Sequence, residues 1–178
     1  MRVCRKAMLV VIPFLVFAGG CSKPEVIPER LEGQVDRDLR YMQIKDNPDS
    51  YRGKLIVTGG KVLMAKRLKD GTRIEVLEIP LSSGLVPEEG KESPEGRFVA
   101  MDKRENMTDP AVLKDNELVT VIGEVVGSTT IIIDEAVVRV PQLEVKNIIV
   151  WDRNRLRPHY PYYGYRAPYD CGDKRAGA

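Results

Sequence analysis

Hydrophobic residues are distributed along this chain in two distinct ways. A continuous apolar run occupies residues 7–17 and is interrupted only by Pro13. From residue 54 onward, apolar and β-branched residues come instead in short segments separated by glycine, proline and charged residues. A long run near the start is typical of a targeting segment, whereas short β-branched segments between turn residues are typical of strands. The pattern therefore predicts a leader followed by an all-β domain.

Six segments beyond residue 54 have the composition of strands. Lys69–Thr72, "KDGT", predicts a hairpin turn after the first segment, and Gly127-Ser128 predicts a second hairpin. Pro141 predicts a break before the last segment, because proline cannot donate to a sheet ladder. Gly59-Gly60 inside the first segment predicts a sharp coil or bulge. The predicted strands are "KLIVTGGKVLMAKRL", "RIEVLEIPL", "RFVAM", "ELVTVIGEVVG", "TTIIIDEAVVRV" and "LEVKNIIVW".

The rest of the domain predicts turns and loops. The stretch "DNPDSYRGK" predicts one helical turn, with Pro48 in its first turn and Gly53 at its end. The composition of residues 82–96 predicts a loop. Short strands without a long amphipathic helix predict an all-β fold, a small antiparallel barrel of about six strands that is similar to the oligonucleotide-binding fold. That similarity concerns topology and implies no nucleic-acid binding.

The N-terminal run has the layout of a secretory signal peptide. Positive charges on Arg2, Arg5 and Lys6 precede the apolar run, and the small residues 18–20 follow it. The run is shorter than the roughly 20 residues that a bilayer-spanning helix needs. Residues 1–20 are therefore predicted to be a cleaved signal peptide. An uncleaved membrane anchor or a buried helix is the alternative.

The segment from Ala18 to Cys21 resembles a bacterial lipobox, although Ala18 stands where the commonest form has leucine. The resemblance implies cleavage between Gly20 and Cys21, a diacylglycerol on the Cys21 thiol and an acyl chain such as palmitate on the new amino group. Several acyl chains anchor a protein stably, whereas a single chain binds only marginally. Ser22 occupies the position where aspartate favours inner-membrane retention. The sorting pattern therefore implies the outer membrane, with the protein facing the periplasm.

Residues 21–34 are predicted to be a lipidated tether, because the segment after Cys21 is polar and contains two prolines. The domain is predicted to occupy residues 35–151. Cleavage would remove Cys4 and lipidation would block Cys21, so Cys171 would keep a free thiol, and neither an intrachain disulfide nor a cysteine zinc site is expected. Cys171 either forms an intermolecular bridge or is a tail residue without a role.

Charge argues against a broad nucleic-acid interface. The 178-residue chain is 30% charged and 43% hydrophobic, which suits one globular domain, and its formal net charge is +2. Three of its 28 basic residues lie in the leader, which leaves 25 basic and 26 acidic residues and a net charge of −1. A nearly neutral domain lacks the basic surface that nucleic acids require, so we expect no nucleic-acid partner.

Several segments together resemble the Slp family, the starvation-inducible group of outer-membrane lipoproteins. The likeness spans Gln34 to Trp151 and is carried in order by "QVDRDL", "DNPDSYRGKLIVTGGKVL", "KDGTRIEVLEIPLSSGLVP", "GRFVAM", "DPAVL", "LVTVIGEVVG" and "LEVKNIIVW". It implies a lipid-anchored outer-membrane protein linked to stationary-phase or stress growth. The family has no established catalytic residues. The segment "GSTTIIIDEAVVRV" is more aliphatic than the hairpin that such chains often have there.

No arrangement of residues in the sequence predicts catalysis, so we expect no enzymatic activity. His159 is the one histidine and is predicted to be a solvated tail residue, and no metal site or cofactor is predicted. Glu75 and Glu78 alternate with apolar residues, which predicts a solvent-facing strand surface. The run Ile131–Ile133 predicts a strand buried on both faces. An envelope hydrolase is the alternative, and it would need two carboxyl groups facing each other in a cleft.

Residues 152–178 are predicted to be an extended, disordered tail rich in tyrosine, proline and arginine. Tyrosine rings stack on sugars, and guanidinium groups bind anions. Lipopolysaccharide phosphates, glycan strands and the membrane interface are therefore candidate ligands, and a spacer without a ligand is the alternative. The candidate contact residues are Tyr160, Tyr162, Tyr163, Tyr165, Arg157 and Arg166.

Two functions are consistent with these predictions. The first is a lipid-anchored, non-enzymatic structural or interaction module of the cell envelope, attached to the membrane through the lipid on Cys21. The alternative is a binder of envelope glycan or lipopolysaccharide that uses the barrel mouth or the tail. The envelope partner is then either a glycan or another protein.

Overall fold

The computed structural model of the chain describes residues 26–90 and 95–152, together with the backbone of residues 157–159. In these ranges it contains two short α-helices, one 3-10 turn and six strands. The elements are α1 Glu29–Glu32, α2 Tyr41–Asp46, the 3-10 turn Pro48–Tyr51, β1 Leu55–Leu68, β2 Gly71–Glu78, β3 Arg97–Asp102, β4 Leu118–Ile133, β5 Ala136–Asp152 and β6 Arg157–His159.

Strands β1 to β5 close into a barrel. β1 pairs with both β2 and β4, β2 pairs with β3, and β4 pairs with β5, all in antiparallel orientation. The barrel closes where Val99–Met101 of β3 runs parallel to Gln142–Glu144 of β5. The predicted all-β barrel is therefore confirmed, but one of its pairings is parallel, where antiparallel strands alone were predicted. The similarity to the oligonucleotide-binding fold stays a prediction.

The barrel interior is filled by every second side chain of its strands, because successive residues of a strand point to opposite faces. Ile74 and Val76 of β2 and Val119 and Val121 of β4 are completely buried. Phe98 of β3 is also completely buried, and all five belong to one hydrophobic cluster. A small barrel of this kind is packed through its centre by side chains.

Helix α2 covers part of this core beside the start of β3. Ile44 is completely buried in the core cluster, and the rings of Tyr41 and Phe98 lie 6.2 Å apart between centroids. The Tyr41 hydroxyl donates a 2.9 Å hydrogen bond to the carbonyl oxygen of Arg97. Burial, reinforced by the nearby Glu78 carboxylate, raises the pKa of Tyr41, so the hydroxyl keeps its proton and this bond.

The buried carboxylate of Asp102 fixes the connection between β3 and β4. It accepts hydrogen bonds of 2.8 and 2.7 Å from the Arg104 guanidinium group. The amide and hydroxyl of Thr108 donate to it at 2.8 and 2.9 Å. Burial alone would raise the pKa of Asp102, but the bonds from Arg104 and Thr108 outweigh burial and hold that pKa below its ordinary value. The Thr72 hydroxyl donates to the Thr108 carbonyl oxygen at 2.9 Å and ties this connection to β2.

Gly59 and Gly60 allow the neighbouring strands to approach β1 closely. A Cβ atom on Gly60 would lie 1.9 Å from the carbonyl oxygen of Leu77, and one on Gly59 would lie 2.7 Å from a carbonyl oxygen of β4. Neither position therefore has room for a side chain. The irregularity predicted at these glycines lies close by, since the register of β1 against β2 shifts between Val62 and Met64.

β4 continues through the dipeptide Gly127-Ser128, where a hairpin turn was predicted, so that prediction is wrong. The register of β4 against β5 shifts between Val125 and Gly127, which identifies a bulge. Gly127 has a φ of 119°, which a residue with a side chain rarely adopts. Glycine is therefore needed here for a bulge inside a strand and not for a turn.

β4 and β5 form one long hairpin where three strands were predicted. Its turn is Asp134-Glu135, and Asp134 has a φ of 53°, a conformation that aspartate tolerates. β5 continues through Pro141, so the predicted break is also wrong. A strand accepts proline where the missing N–H faces away from the ladder, and β5 borders β3 only from Gln142 onward.

The half of this hairpin that is nearest its turn, here called the outer half (residues 129–140), packs on the outward face of β3. Ile131 and Val140 are buried in one cluster with Met101. Ile132 points the opposite way and is 72% exposed, as is its cross-strand partner Val137. The prediction of a strand buried on both faces is therefore wrong for Ile132, because only one face of the hairpin has a strand beneath it.

Candidate functional site

The described part of the chain starts at Val26, five residues after Cys21, and its first residues pack on the barrel. Val26 is buried in a hydrophobic cluster formed by the residue that follows β2, the start of β4 and the end of β5. The cluster also contains Ile79, Leu118, Ile149 and Trp151. Burial of a valine side chain contributes about 1.5–3 kcal/mol to stability. Val26 therefore holds the N-terminal segment, here called the anchor segment (residues 26–36), against the barrel wall.

A second cluster holds helix α1, which lies within the anchor segment. Ile27 and Leu31 are almost completely buried, and they pack with Leu55 of β1 and Ile122 of β4. Ile27 lies just before α1 and Leu31 lies within it, and both side chains point towards the barrel wall. The tether was predicted over residues 21–34, but from Val26 onward this range packs on the barrel.

Backbone contacts attach the other end of the anchor segment. Val35 forms a parallel bridge with Leu55, and the Asp36 amide donates a 2.8 Å hydrogen bond to the Leu55 carbonyl oxygen. The Asp36 carboxylate also lies 3.6 Å from the ammonium group of Lys54. The segment is thus fixed to the barrel at both of its ends.

A chain of two hydrogen bonds supports the surface on which Val26 packs. The Trp151 indole donates to the Thr120 hydroxyl at 2.9 Å, and that hydroxyl donates to the Leu85 carbonyl oxygen at 2.6 Å. Leu85 has a φ of 60° and packs against both clusters that hold the anchor segment. The bonds fix the Leu85 loop on β4 and β5, and with it the surface for the anchor segment.

Gly20, Cys21 and Ser22, which were predicted for cleavage, lipidation and sorting, lie outside the described residues. The packing of the segment that follows them was not predicted from the sequence. The apolar residues Val26, Ile27 and Leu31 within this polar stretch carry a signal of it, since apolar side chains favour burial. The prolines of this region favoured the interpretation as a tether instead.

Glu75 and Glu78 do not form a catalytic pair. Both are buried, at 7% and 5% exposure, so the prediction of a solvent-facing surface is wrong for them. Glu75 pairs with Arg73 at 2.7 Å on the outward face of β2. Glu78 has the inward parity of Ile74 and Val76. Carboxyl groups on opposite faces of one strand cannot flank a glycosidic bond, so these two residues give the hydrolase alternative no support.

Two clusters of charged side chains on the barrel wall are internally paired. Asp49 of the 3-10 turn accepts hydrogen bonds from Arg52 and from Arg139 of β5. Lys146 donates a 2.8 Å hydrogen bond to Glu144, which raises the pKa of Lys146 and lowers that of Glu144. These contacts cross-link neighbouring segments of the barrel. Because acidic and basic side chains are paired, neither place forms a uniformly positive or negative surface.

The predicted contact residues of the tail follow β5 in the sequence. Tyr160, Tyr162, Tyr163, Tyr165 and Arg166 lie outside the described residues, as does Cys171. Arg157 and His159 are described by their backbone alone, in β6, which pairs with the end of β5. Binding of glycan or lipopolysaccharide by the tail therefore stays a prediction.

Within residues 26–90 and 95–152, no helix is long and apolar enough to cross a bilayer. In the part of the chain that the structure describes, no group of three or more His, Cys, Asp and Glu side chains is placed to hold a metal ion.

Comparison with known proteins gives a consistent family match. The family model "Outer membrane lipoprotein Slp family" matches residues 18–175. The chain is 26% identical over 172 residues to the Outer membrane protein Slp of Escherichia coli strain K12. The aligned region covers 94% of this chain and 87% of that protein. It is 30% identical over 118 residues to the Uncharacterized lipoprotein YeaY of the same organism. That aligned region covers 65% of this chain and 56% of that protein. No solved structure matches.

Proposed function

The chain belongs to the Slp family of outer membrane lipoproteins, and we propose from this membership that it is anchored in the outer membrane by lipid on Cys21. The barrel is then a non-enzymatic structural or interaction module that faces the periplasm. The observation that carries the proposal is the family match over residues 18–175, because the matched range includes the lipobox-like ending as well as the barrel. The family resemblance also supports a role in stationary-phase or stress growth.

A role for the outer surface of the barrel is supported by the way its interior is filled. Side chains such as Phe98 and Ile74 are completely buried in its interior, and α2 contributes the completely buried Ile44 to the same core. A ligand at the barrel mouth would have to displace these side chains. The packing therefore favours a module that acts through its outer surface over one that binds a ligand in the barrel mouth.

Replacement of the lipidated cysteine tests the anchoring. We expect the natural protein to fractionate with outer membranes on a density gradient, and the variant Cys21→Ser to leave that fraction. The matched control is Cys171→Ser, which removes a thiol without touching the proposed lipid site, so it should fractionate like the natural protein. A Cys21→Ser variant that stays with outer membranes at the natural level would contradict anchoring through Cys21.

Orientation needs a separate measurement. In intact cells, protease added from outside should leave the barrel uncut, and permeabilised outer membranes should make it accessible. Cleavage in intact cells would place the barrel on the cell surface and contradict the periplasmic orientation.

A further inference from the structure

The packing of the anchor segment leaves a short connection between the barrel and Cys21. Only Ser22, Lys23, Pro24 and Glu25 lie between Cys21 and the buried Val26. Five residue steps span about 18 Å when fully extended. A tether that stayed unattached as far as Val35 would span about 50 Å. The attachment of Val26 therefore reduces the greatest possible distance between the lipid on Cys21 and the barrel from about 50 Å to about 18 Å.

The attachment point is fixed within the fold and does not depend on one contact. Val26 is buried in the cluster around Trp151, and Ile27 and Leu31 are buried in a second cluster on β1 and β4. The bridge between Val35 and Leu55 fixes the far end of the segment. The short connection thus starts from a defined place on the barrel wall.

We propose that the barrel stands directly on the membrane, with the face that carries α1 against the lipid headgroups. This inference rests on the proposed function, because it needs the lipid on Cys21. Its occupant is the surface of the bilayer that holds the acyl chains. The exposed residues of α1 are Glu29, Arg30 and Glu32, two acidic and one basic. Since α1 carries no excess of positive charge, the short connection to the lipid, and not electrostatic attraction to α1, holds this face at the membrane.

The hairpin turn Asp134-Glu135 lies at the other end of β4 from Leu118, which packs with Val26. β4 is 16 residues long, so the attachment point and the hairpin turn lie far apart along it. The barrel is thereby oriented, with α1 towards the lipid and the exposed pair Ile132 and Val137 at the end of β4 remote from the attachment point.

Energy transfer to labelled lipids tests this orientation on the full lipidated chain. Glu29→Cys and Glu135→Cys each replace an exposed acidic residue, and both are made in a Cys171→Ser background and labelled with one fluorophore. The protein is placed in vesicles of phosphatidylethanolamine and phosphatidylglycerol that contain a headgroup-labelled acceptor. We expect transfer from position 29 to be at least about twice that from position 135, because of the roughly 18 Å limit. Raising the salt concentration should leave the difference unchanged.

The control lengthens the connection without altering the barrel. An insertion of about ten Gly and Ser residues between Glu25 and Val26 adds a reach of roughly 35 Å, so the transfer from position 29 should fall towards that from position 135. Equal transfer from both positions, or no response to the insertion, would overturn the proposal. A chain that fails to float with the vesicles would overturn the lipid anchor itself, so the two failures are distinguishable.

Discussion

The indole Nε1 of Trp151 lies 2.9 Å from the hydroxyl oxygen of Thr120 and donates a hydrogen bond to it inside the barrel wall. Both side chains are almost completely buried. The same hydroxyl donates to the Leu85 carbonyl oxygen, so one threonine joins the end of β5 to the loop beneath the anchor segment. Trp151 is the one tryptophan of the chain, so its fluorescence reports on this place directly.

Thr120→Val should destabilise the protein. The substitution leaves the buried indole N–H and the Leu85 carbonyl oxygen unpaired, and a buried polar group without a partner costs about 1–3 kcal/mol. We expect the free energy of unfolding, measured from Trp151 fluorescence in urea, to fall by about 2 kcal/mol. Thr120→Ser is the control, since it keeps the hydroxyl and should lose clearly less. Equal losses in both variants would show that the hydroxyl contributes nothing.

Acid should weaken the connection between β3 and β4 through Asp102. Because the folded-state pKa of Asp102 lies below its unfolded value, about 3.9, the ionised carboxylate stabilises the fold above that pH. This contribution disappears as the pH falls through the folded-state pKa. Asp102→Asn should therefore lower the free energy of unfolding by about 2–4 kcal/mol at pH 7. The difference between the variant and the natural protein should become smaller as the pH drops below about 4.

The control for this comparison is Asp70→Asn, which removes a carboxylate from the exposed turn between β1 and β2. It should change the free energy of unfolding by less than about 0.5 kcal/mol across the same pH range. An Asp102→Asn loss that stays constant between neutral and acidic pH would contradict the role given to the ionised carboxylate.

Two neighbouring isoleucines on the outer hairpin should respond very differently to truncation. Ile131 is buried against β3, so Ile131→Ala should lower the free energy of unfolding by about 2–4 kcal/mol. Ile132 is 72% exposed, so Ile132→Ala should cost less than about 0.5 kcal/mol. Urea unfolding of the two variants gives the comparison. Similar losses would mean that the hairpin does not pack on β3 by the face described.

Local sequence features predicted much of the barrel. The β-branched segments indicated β1, β2 and β3, and the turn "KDGT" became the two-residue connection between Leu68 and Gly71. The helical turn predicted around Pro48 is the 3-10 turn. These features are predictable because the residues that determine them lie close together in the sequence.

Other features depend on contacts between distant residues and were not predictable. The dipeptide Gly127-Ser128 is typical of a turn. The residues on both sides of it continue to pair with β5, so Gly127 forms a bulge. Glu75 alternates with apolar residues, yet it is buried and pairs with Arg73 on the outward face of β2. Val26 lies among polar residues and prolines, and only the cluster around Trp151 shows where it packs.

The identity of the mature N-terminus tests the central proposal most directly. Tryptic digestion of the protein taken from membranes should release a peptide that ends at Arg30, and mass spectrometry gives the mass of that peptide. We predict that it starts at Cys21 and carries a diacylglycerol on the thiol and an acyl chain on the amino group. A peptide that starts at any other residue, or one that starts at Cys21 without lipid, would contradict the lipid anchor.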